Sequence, residues 1–262
     1  MKIAYYPGCT LKNRARELDR TARASAALFG IELEEIPAWQ CCGGAYTSAK
    51  DEIATKLSSV RALAAGREIG DGRVVTVCSA CYNVLKQTNH EFAVNPDFDF
   101  KVNNYLGGDP EYHGEGEVIH YLELLRDEVG FEELARRVTN PLKGKRIAAY
   151  YGCLLLRPSS ALAFDDPENP KIMEDFIRAL GAEPVLYPMR NECCGGYLTL
   201  SDRETAKQRS TAVGESAREM GADFMITACP LCQYNLTKNT DAPIPVRYFT
   251  EVLAEALGLG GE

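Results

Sequence analysis

The chain of 262 residues is 45% hydrophobic and 25% charged, the proportions of a soluble globular protein with room for one large domain or two smaller ones. Its net charge of -8 and isoelectric point near 5.1 exclude a nucleic-acid footprint, because phosphate binding needs a concentrated basic surface. No uncharged apolar stretch reaches the roughly 20 residues that span a bilayer, and the opening MKIAYYPGCT reads as a buried strand instead of a secretory signal, so the expected location is the cytoplasm, with no direct membrane insertion.

Along the chain, the apolar run KIAYY (2–6) predicts a short strand that ends in Gly-Cys at Cys9. RARELDRTARASAALFG (14–30) has helical spacing and a glycine stop at Gly30. IELEEIP (31–37) predicts a second strand, which delivers the adjacent Cys41 and Cys42 of AWQCCGG. A helix is expected over 49–70, then a third strand, RVVTV (73–77), which runs into the CxxC of Cys78 and Cys81. Residues 91–117, EFAVNPDFDFKVNNYLGGDPEYHGEGE, are rich in Gly, Pro, Asn and Asp and predict a long loop. Near RRVTNPLKGK (136–145), Asn140-Pro141 ends a helix and Gly144 precedes a new strand, so a division is expected between 143 and 144.

Beyond that point the order repeats. RIAAYYGC (146–153) restates KIAYYPGC (2–9), and KIMEDFIRALG (171–181) supplies the helix with its stop at Gly181. EPVLYP (183–188) is the strand before a second CCGG, RETAKQRSTAVGESAREMGA (203–222) the next helix, and DFMITA (223–228) the strand before a second CxxC. Even IHYLELL (119–125) has its answer in VRYFTEVL (246–253), an alignment that sets His120 against Arg247. Strands alternating with helices predict the α/β class, with a small parallel sheet and crossover helices in each of two copies, 1–143 and 144–262. Such sheets place their sites in loops beyond the carboxyl ends of the strands, so the five cysteines of each copy are expected to converge at one end of one sheet.

All ten cysteines fall inside the repeat: Cys9, Cys41, Cys42, Cys78 and Cys81, then Cys153, Cys193, Cys194, Cys229 and Cys232. A disulfide framework suits small secreted scaffolds, and this chain is larger and lacks a visible signal. The intervening residues number 31, 35 and two in the first copy and 39, 34 and two in the second. Tetrahedral zinc asks for four ligands, commonly in two short chelating pairs, which five cysteines per copy fit poorly. Neighbouring thiolates project in divergent directions and reach different irons more readily than one small ion, which favours a polynuclear iron–sulfur site. The Gly-Gly that follows each pair permits close backbone approach. A cubane needs four cysteines, so the fifth points either to another cluster type or to a thiol that is not a ligand. Taken alone, each CxxC also fits a thioredoxin-like dithiol or a pair of inert buried thiols; neither accounts for the match at all ten positions.

The pattern C9-x31-CCG-x34-C78-x2-C81, present twice, resembles the cysteine-rich CCG domain, and from Met1 to the C-terminal helix the chain is similar to the B subunits of heterodisulfide reductase. That resemblance implies two tandem CCG domains related by a pseudo-twofold axis, and two noncubane [4Fe-4S] clusters, each held by the five cysteines of one copy. It implies a small-molecule disulfide substrate, of the coenzyme M–coenzyme B type, cleaved reductively between the clusters. It also implies a ferredoxin-like iron–sulfur C subunit as electron source, fed in turn by a flavin-containing A subunit. Related CCG domains serve other oxidants, among them fumarate, lactate, succinate and sulfur carriers, and a non-catalytic electron-transfer module is the further alternative. The chain has no nucleotide fingerprint, since GLGGE (258–262) follows a helix instead of opening one; flavin or nicotinamide is expected on another chain.

Outside the cysteines the signals are weaker. His90, His113 and His120 are candidate proton donors by residue type only, and His120 reads as a polar residue at a strand end. Lys12, Arg14, Arg157 and Arg190 flank the cysteine loops, where a cation can meet an anionic group, although solvated charge is the commoner fate. Trp39, directly before the first CCG, reads as packing ahead of the alternative, a shield for the first cluster.

Overall fold

A computed structural model of the chain describes residues 1–44, 53–107 and 111–259. Strands β1 (Lys2–Tyr5), β2 (Glu32–Glu35), β3 (Arg73–Thr76) and β4 (Glu117–His120) form one parallel sheet in the order β2-β1-β3-β4. Strands β5 (Arg146–Tyr150), β6 (Glu183–Val185), β7 (Phe224–Thr227) and β8 (Val246–Tyr248) form a second sheet with the same order, β6-β5-β7-β8. Helices of the first half are α1 (Gly8–Asn13), α2 (Arg16–Leu28), α3 (Leu57–Arg67), α4 (Ser79–Val94), α5 (Phe98–Leu106), α6 (Tyr121–Leu124) and α7 (Phe131–Arg137). Those of the second are α8 (Ser159–Leu162), α9 (Ile172–Ala179), α10 (Arg203–Glu219), α11 (Pro230–Lys238) and α12 (Phe249–Ala256). The tandem α/β repeat expected from the sequence is therefore the fold. Central strands such as β7 are buried on both faces, as helix-covered parallel strands are. The helix expected over 49–70 is described from Leu57 to Arg67, behind a turn at 53–56; residues 49–52 lie outside the described residues.

Two expectations need correction. The segment 91–117 is mostly not a loop: α4 runs on to Val94, and α5 occupies Phe98–Leu106. Its turn-forming residues sit at the helix ends, with Asn95 and Pro96 between the helices and Gly107 closing α5 at φ 70. Phe92 stacks edge-on against Phe98 and Tyr112 at 4.9 and 5.3 Å, and Asn103 exchanges hydrogen bonds with the Tyr112 backbone, so this segment, an insertion of the first copy where the second passes from α11 to β8 without a helix, has a small core of its own.

The second correction concerns register. β3 pairs Thr76 with His120, whereas β7 pairs Thr227 with Tyr248. Because Thr76 and Thr227 both stand two residues before a CxxC, the counterpart of His120 is Tyr248 and not Arg247. The one-residue slip arises because these last strands are only three or four residues long, too short for an alternation pattern to fix their phase.

His120 is fully buried. Its Nδ1 accepts from the Leu122 amide and caps α6, and its ring meets Tyr82, Phe164 and Phe249. Burial removes the water that its charged form requires and pushes its pKa down to about 3. Unfolded, the same imidazole takes up a proton near pH 6.5. Stability from this group is thus complete above about pH 6.5 and falls, by roughly 1.4 kcal/mol per pH unit, as the pH drops from there toward 3. We expect His120→Asn, which keeps the helix cap, to flatten that part of the stability–pH profile of the metal-free chain, measured by urea unfolding.

The halves are joined across a polar and aromatic seam. α2 packs on α12, where Thr21 Oγ1 donates to Thr250 Oγ1 at 2.9 Å. Tyr121 of the first half faces Phe249 of the second, their ring centroids 6.1 Å apart. The two CxxC loops touch directly, since both the amide and the hydroxyl of Ser79 donate to the Ala228 carbonyl, at 3.0 and 2.8 Å. Pro230, which stands where Ser79 does in the other copy, has no N–H to return that bond. Tyr248 supplies it: its hydroxyl is 2.5 Å from the Val77 carbonyl and 2.8 Å from that of Ala228.

Candidate metal centre

In each half the five cysteines gather beyond the carboxyl ends of the strands. Cys9 lies in α1, immediately after β1. Cys41 and Cys42 follow β2, while Cys78 is the N-cap of α4 and Cys81 stands in its first turn. The second half repeats the arrangement, with Cys153 after β5, Cys193 and Cys194 after β6, and Cys229 as N-cap of α11 ahead of Cys232. A helix N-terminus carries partial positive charge and favours a thiolate. None of the ten is in a disulfide.

Each quintet is layered. Cys42, Cys78 and Cys81 are buried beneath the exposed Cys9 and Cys41; Cys194, Cys229 and Cys232 are buried beneath the half-buried Cys153 and Cys193. Cys41 Sγ is 3.5 Å from Cys9 Sγ, and Cys42 Sγ is 3.7 Å from Cys81 Sγ. In the second half Cys194 Sγ is 3.5 Å from Cys232 Sγ. Among the described residues no three Cys, His, Asp or Glu side chains close round one point as a single ion requires. The sulfurs form a row of close neighbours, which suits a donor set spread over several metal atoms.

The electrostatics point the same way. Hydrogen bonds shared with Cys41 and Cys81 push Cys42 down to about 3, while those two thiols are pushed up. Cys193 is lowered to about 6 by its bond with Cys153, by the Gly195 amide, 3.4 Å from its sulfur, and by the charge of Arg209. Cys194 and Cys229 are lowered through Cys232, which is itself raised. Packed this closely, five thiolates repel one another, and only bound cationic metal would let all of them ionise together.

The backbone leaves room for such a group. Gly8, at φ 77, would bring a Cβ to 2.7 Å from Cys81 Sγ, and Gly44 and Gly196 would each bring one to 3.5 Å from the sulfur of the preceding CCG pair. Asn235 of α11 donates to the Cys194 carbonyl at 2.6 Å and fixes the second CCG turn.

Tyrosines absent from the sequence-based site complete the centre. Tyr6 and Tyr150 occupy the same place in the two copies, and each donates to a backbone carbonyl just ahead of a CCG, Gln40 at 2.5 Å and Glu192 at 2.7 Å. Burial, and then the sulfurs of the adjacent quintet, push both phenols up. Tyr197, directly after the second CCGG, donates to the Gly44 carbonyl of the first half. It stands within electrostatic reach of Cys229 and Cys153 on one side and of Cys42 and Cys78 on the other. The signal for Tyr6 and Tyr150 is present in KIAYYPGC and RIAAYYGC, whose matched tyrosines fit a plain strand equally well; for Tyr197 there is no sequence signal, because its role depends on the other half.

Other candidates lie elsewhere or have other partners. Lys12 pairs with Glu35 at 2.8 Å, Arg157 holds the Asn191 carbonyl and Glu168, and the buried Arg190 meets Glu174 at 3.3 Å and Asn169 at 2.6 Å. The Arg190 carbonyl also accepts from the Tyr151 and Gly152 amides, tying the Cys153 loop to the Cys193 loop. Arg14 lines a groove. His113 is bound to Asp99 in the insertion, and His90 lines a separate surface hollow with it. Trp39 packs edge-on against Tyr6 at 5.1 Å and donates to Glu35, as expected of a packing residue.

The family described as a cysteine-rich domain, CCG, matches residues 3–86 and again 147–237. The chain belongs to the cysteine-rich CCG family. It is 31% identical over 98% of its length to the 8-methylmenaquinol:fumarate reductase membrane anchor subunit of Wolinella succinogenes, covering 93% of that protein. It is 30% identical over its whole length to a protein of Archaeoglobus profundus named as like the B subunit of heterodisulfide reductase, covering 92% of it. It is 28% identical over 98% of its length to the B subunit of the ferredoxin/F420H2-dependent CoB-CoM heterodisulfide reductase of Methanosarcina acetivorans, covering 89%. In three dimensions the CCG chain superposes over its whole length, at a TM-score of 0.74 and 13% identity, on a crystal structure of a hypothetical protein from Helicobacter pylori, of which it spans 49%. Among the described residues no helix is long and apolar enough to cross a membrane.

Proposed function

We propose that this chain is the catalytic subunit of a heterodisulfide-reductase-type complex in which a small-molecule disulfide is reduced between two noncubane [4Fe-4S] clusters. On this reading Cys9, Cys41, Cys42, Cys78 and Cys81 hold one cluster, and Cys153, Cys193, Cys194, Cys229 and Cys232 hold the other, with the copies dividing between 143 and 144. The observation that carries it is the meeting of two equivalent quintets at one seam: the CxxC loops hydrogen-bond to each other, and Tyr197, directly after the second CCGG, donates to the carbonyl of Gly44 in the first. A disulfide has two sulfurs, and two centres of like construction at one seam match that symmetry.

When bound, such clusters supply the two electrons that splitting a sulfur–sulfur bond consumes. The balance is RS–SR′ plus two electrons and two protons giving RSH and R′SH. The chain's own residues hold the thiols in two layers, point the α4 and α11 N-termini at the inner cysteines, and fix the turn ahead of each CCG through the buried Tyr6 and Tyr150. Electrons come from outside; a ferredoxin-like C subunit and a flavin-containing A subunit in the cytoplasm are the partners this reading names, and the heterodisulfide reductase names among the relatives support it.

A second reading has its own support. The relative at 31% identity is named as a subunit of a fumarate reductase, so the same pair of centres would serve a complex whose final acceptor is not a disulfide. Anaerobic purification with the accompanying subunits separates the two. The first reading expects iron and acid-labile sulfide, and two thiols released per disulfide consumed with a reduced viologen as donor. Iron and sulfide without disulfide turnover would favour the second, and zinc alone would overturn both.

A further inference from the structure

Copy two has 39 residues between its first cysteine and its CCG where copy one has 31. The longer segment includes α8, and it fills a groove. The stretch from Leu154 to Phe164 lies on α4 of the first half, where Asn83 Nδ2 donates to the Leu154 and Arg157 carbonyls, both at 2.8 Å, and Tyr82 OH donates to the Leu162 carbonyl at 3.0 Å. Leu162 and Phe164 are buried there, with Phe164 edge-on to Tyr82 at 5.9 Å.

The matching place in the other copy is open. In the first half α1 passes into α2 with only Arg14 and Ala15 between them, so among the described residues nothing corresponding to α8 covers α11. A groove of about 560 Å³ remains between Thr10 and Arg14 on one side and Gln233 and Tyr234, the counterparts of Tyr82 and Asn83, on the other. Its apolar lining stays in water: Tyr234 is 57% exposed and Leu200 99%. Arg14 and Lys238 flank it, and neither has a side-chain partner among the described residues, although the chain carries a net charge of -8.

We propose that this groove docks a short helical segment of a partner polypeptide, with apolar side chains for Leu200, Leu231 and Tyr234 and carboxylates for Arg14 and Lys238. The α8 segment shows what the same architecture accepts, an apolar Leu162 and Phe164 followed by Asp165 and Asp166. A second copy of this chain cannot lend its own α8 segment, which is already buried. The inference rests on packing between the halves and not on the cluster reading, so either can fail alone.

The test uses the full chain and a fluorescent synthetic peptide with the sequence of residues 154–166. Saturable binding is expected by anisotropy, weakened roughly tenfold or more by Leu200→Asp or Tyr234→Ala and by joint charge reversal at Arg14 and Lys238, with thiol content and circular dichroism unchanged. Absence of saturable binding, or binding that these variants leave intact, would overturn it. So would a dimer of the chain that Leu200→Asp dissolves, which would assign the groove to a second copy. A rise in KM for a small disulfide in Tyr234→Ala with peptide affinity unaltered would assign it to substrate and overturn it equally.

Discussion

Serine in place of Cys42 or Cys194 is expected to abolish disulfide turnover and to strip iron from the half that carries it, leaving the other half loaded. Both thiols are buried and each lies within 3.7 Å of a CxxC sulfur. A serine oxygen is a hard donor that does not replace a soft thiolate, and a buried hydroxyl left without a partner costs about 1–3 kcal/mol. Cys41 behaves differently. It is exposed and belongs to the outer pair with Cys9, so Cys41→Ser leaves four thiols, the number that an ordinary cubane uses. We expect Cys41→Ser to retain iron with a changed paramagnetic signal, whereas Cys42→Ser loses the first-half signal altogether. Iron and sulfide analysis with electron paramagnetic resonance checks both; equal retention of an unaltered signal in the two variants would rule out a role for the quintet as one donor set.

The contrast between inner and outer cysteines cannot be read from spacing, although the quintets themselves can. Gly-Cys after an apolar run, a CCG after a second run and a CxxC after a third describe where strands end, and chain direction in a parallel sheet brings those ends together. What stays hidden depends on contacts between copies. Tyr197 reads as one residue in a glycine-rich turn until the first half brings Gly44 to its hydroxyl. Tyr248 looks like part of a terminal helix, yet it repairs the hydrogen bond that Pro230 cannot make. His120 aligns with the wrong partner in sequence because a strand of four residues has no period to register. The insertion misleads for a different reason: its Asn, Pro and Gly residues are helix boundaries, and composition cannot distinguish boundaries from continuous loop.

The duplication also explains why the two centres are not identical. Ser79 in one CxxC and Pro230 in the other break the symmetry at the seam, and the second quintet is the less exposed. Solvent exposure and nearby charge both set a cluster's reduction potential, and Arg209 places a positive charge beside Cys193 in the second half. One donor set repeated on one fold thus yields two environments, and on the proposed reading these would face the two inequivalent sulfurs of a mixed disulfide.

Alanine at Gly8 is expected to empty the first centre, and alanine at Gly152 to leave the second largely loaded. The two glycines hold the same place before Cys9 and Cys153, with φ 77 and φ 62, so both substitutions incur a similar cost of roughly 1–2 kcal/mol for a left-handed backbone. They differ in what the new methyl meets. At Gly8 it would stand 2.7 Å from Cys81 Sγ, a buried sulfur of the inner layer that has nowhere to retreat. At Gly152 it would meet the ring of Tyr150 at 3.3 Å, a contact that a shift of a few tenths of an ångström relieves. Because the backbone penalty is shared, any difference in iron content between the two variants measures displacement of the sulfur itself. Gly8→Ala should therefore lose first-half iron at temperatures where the protein is still folded by circular dichroism, and Gly152→Ala should lower the melting temperature while keeping its iron. If the two lose iron in parallel with melting, the glycine before Cys9 serves the turn and not the space beside Cys81.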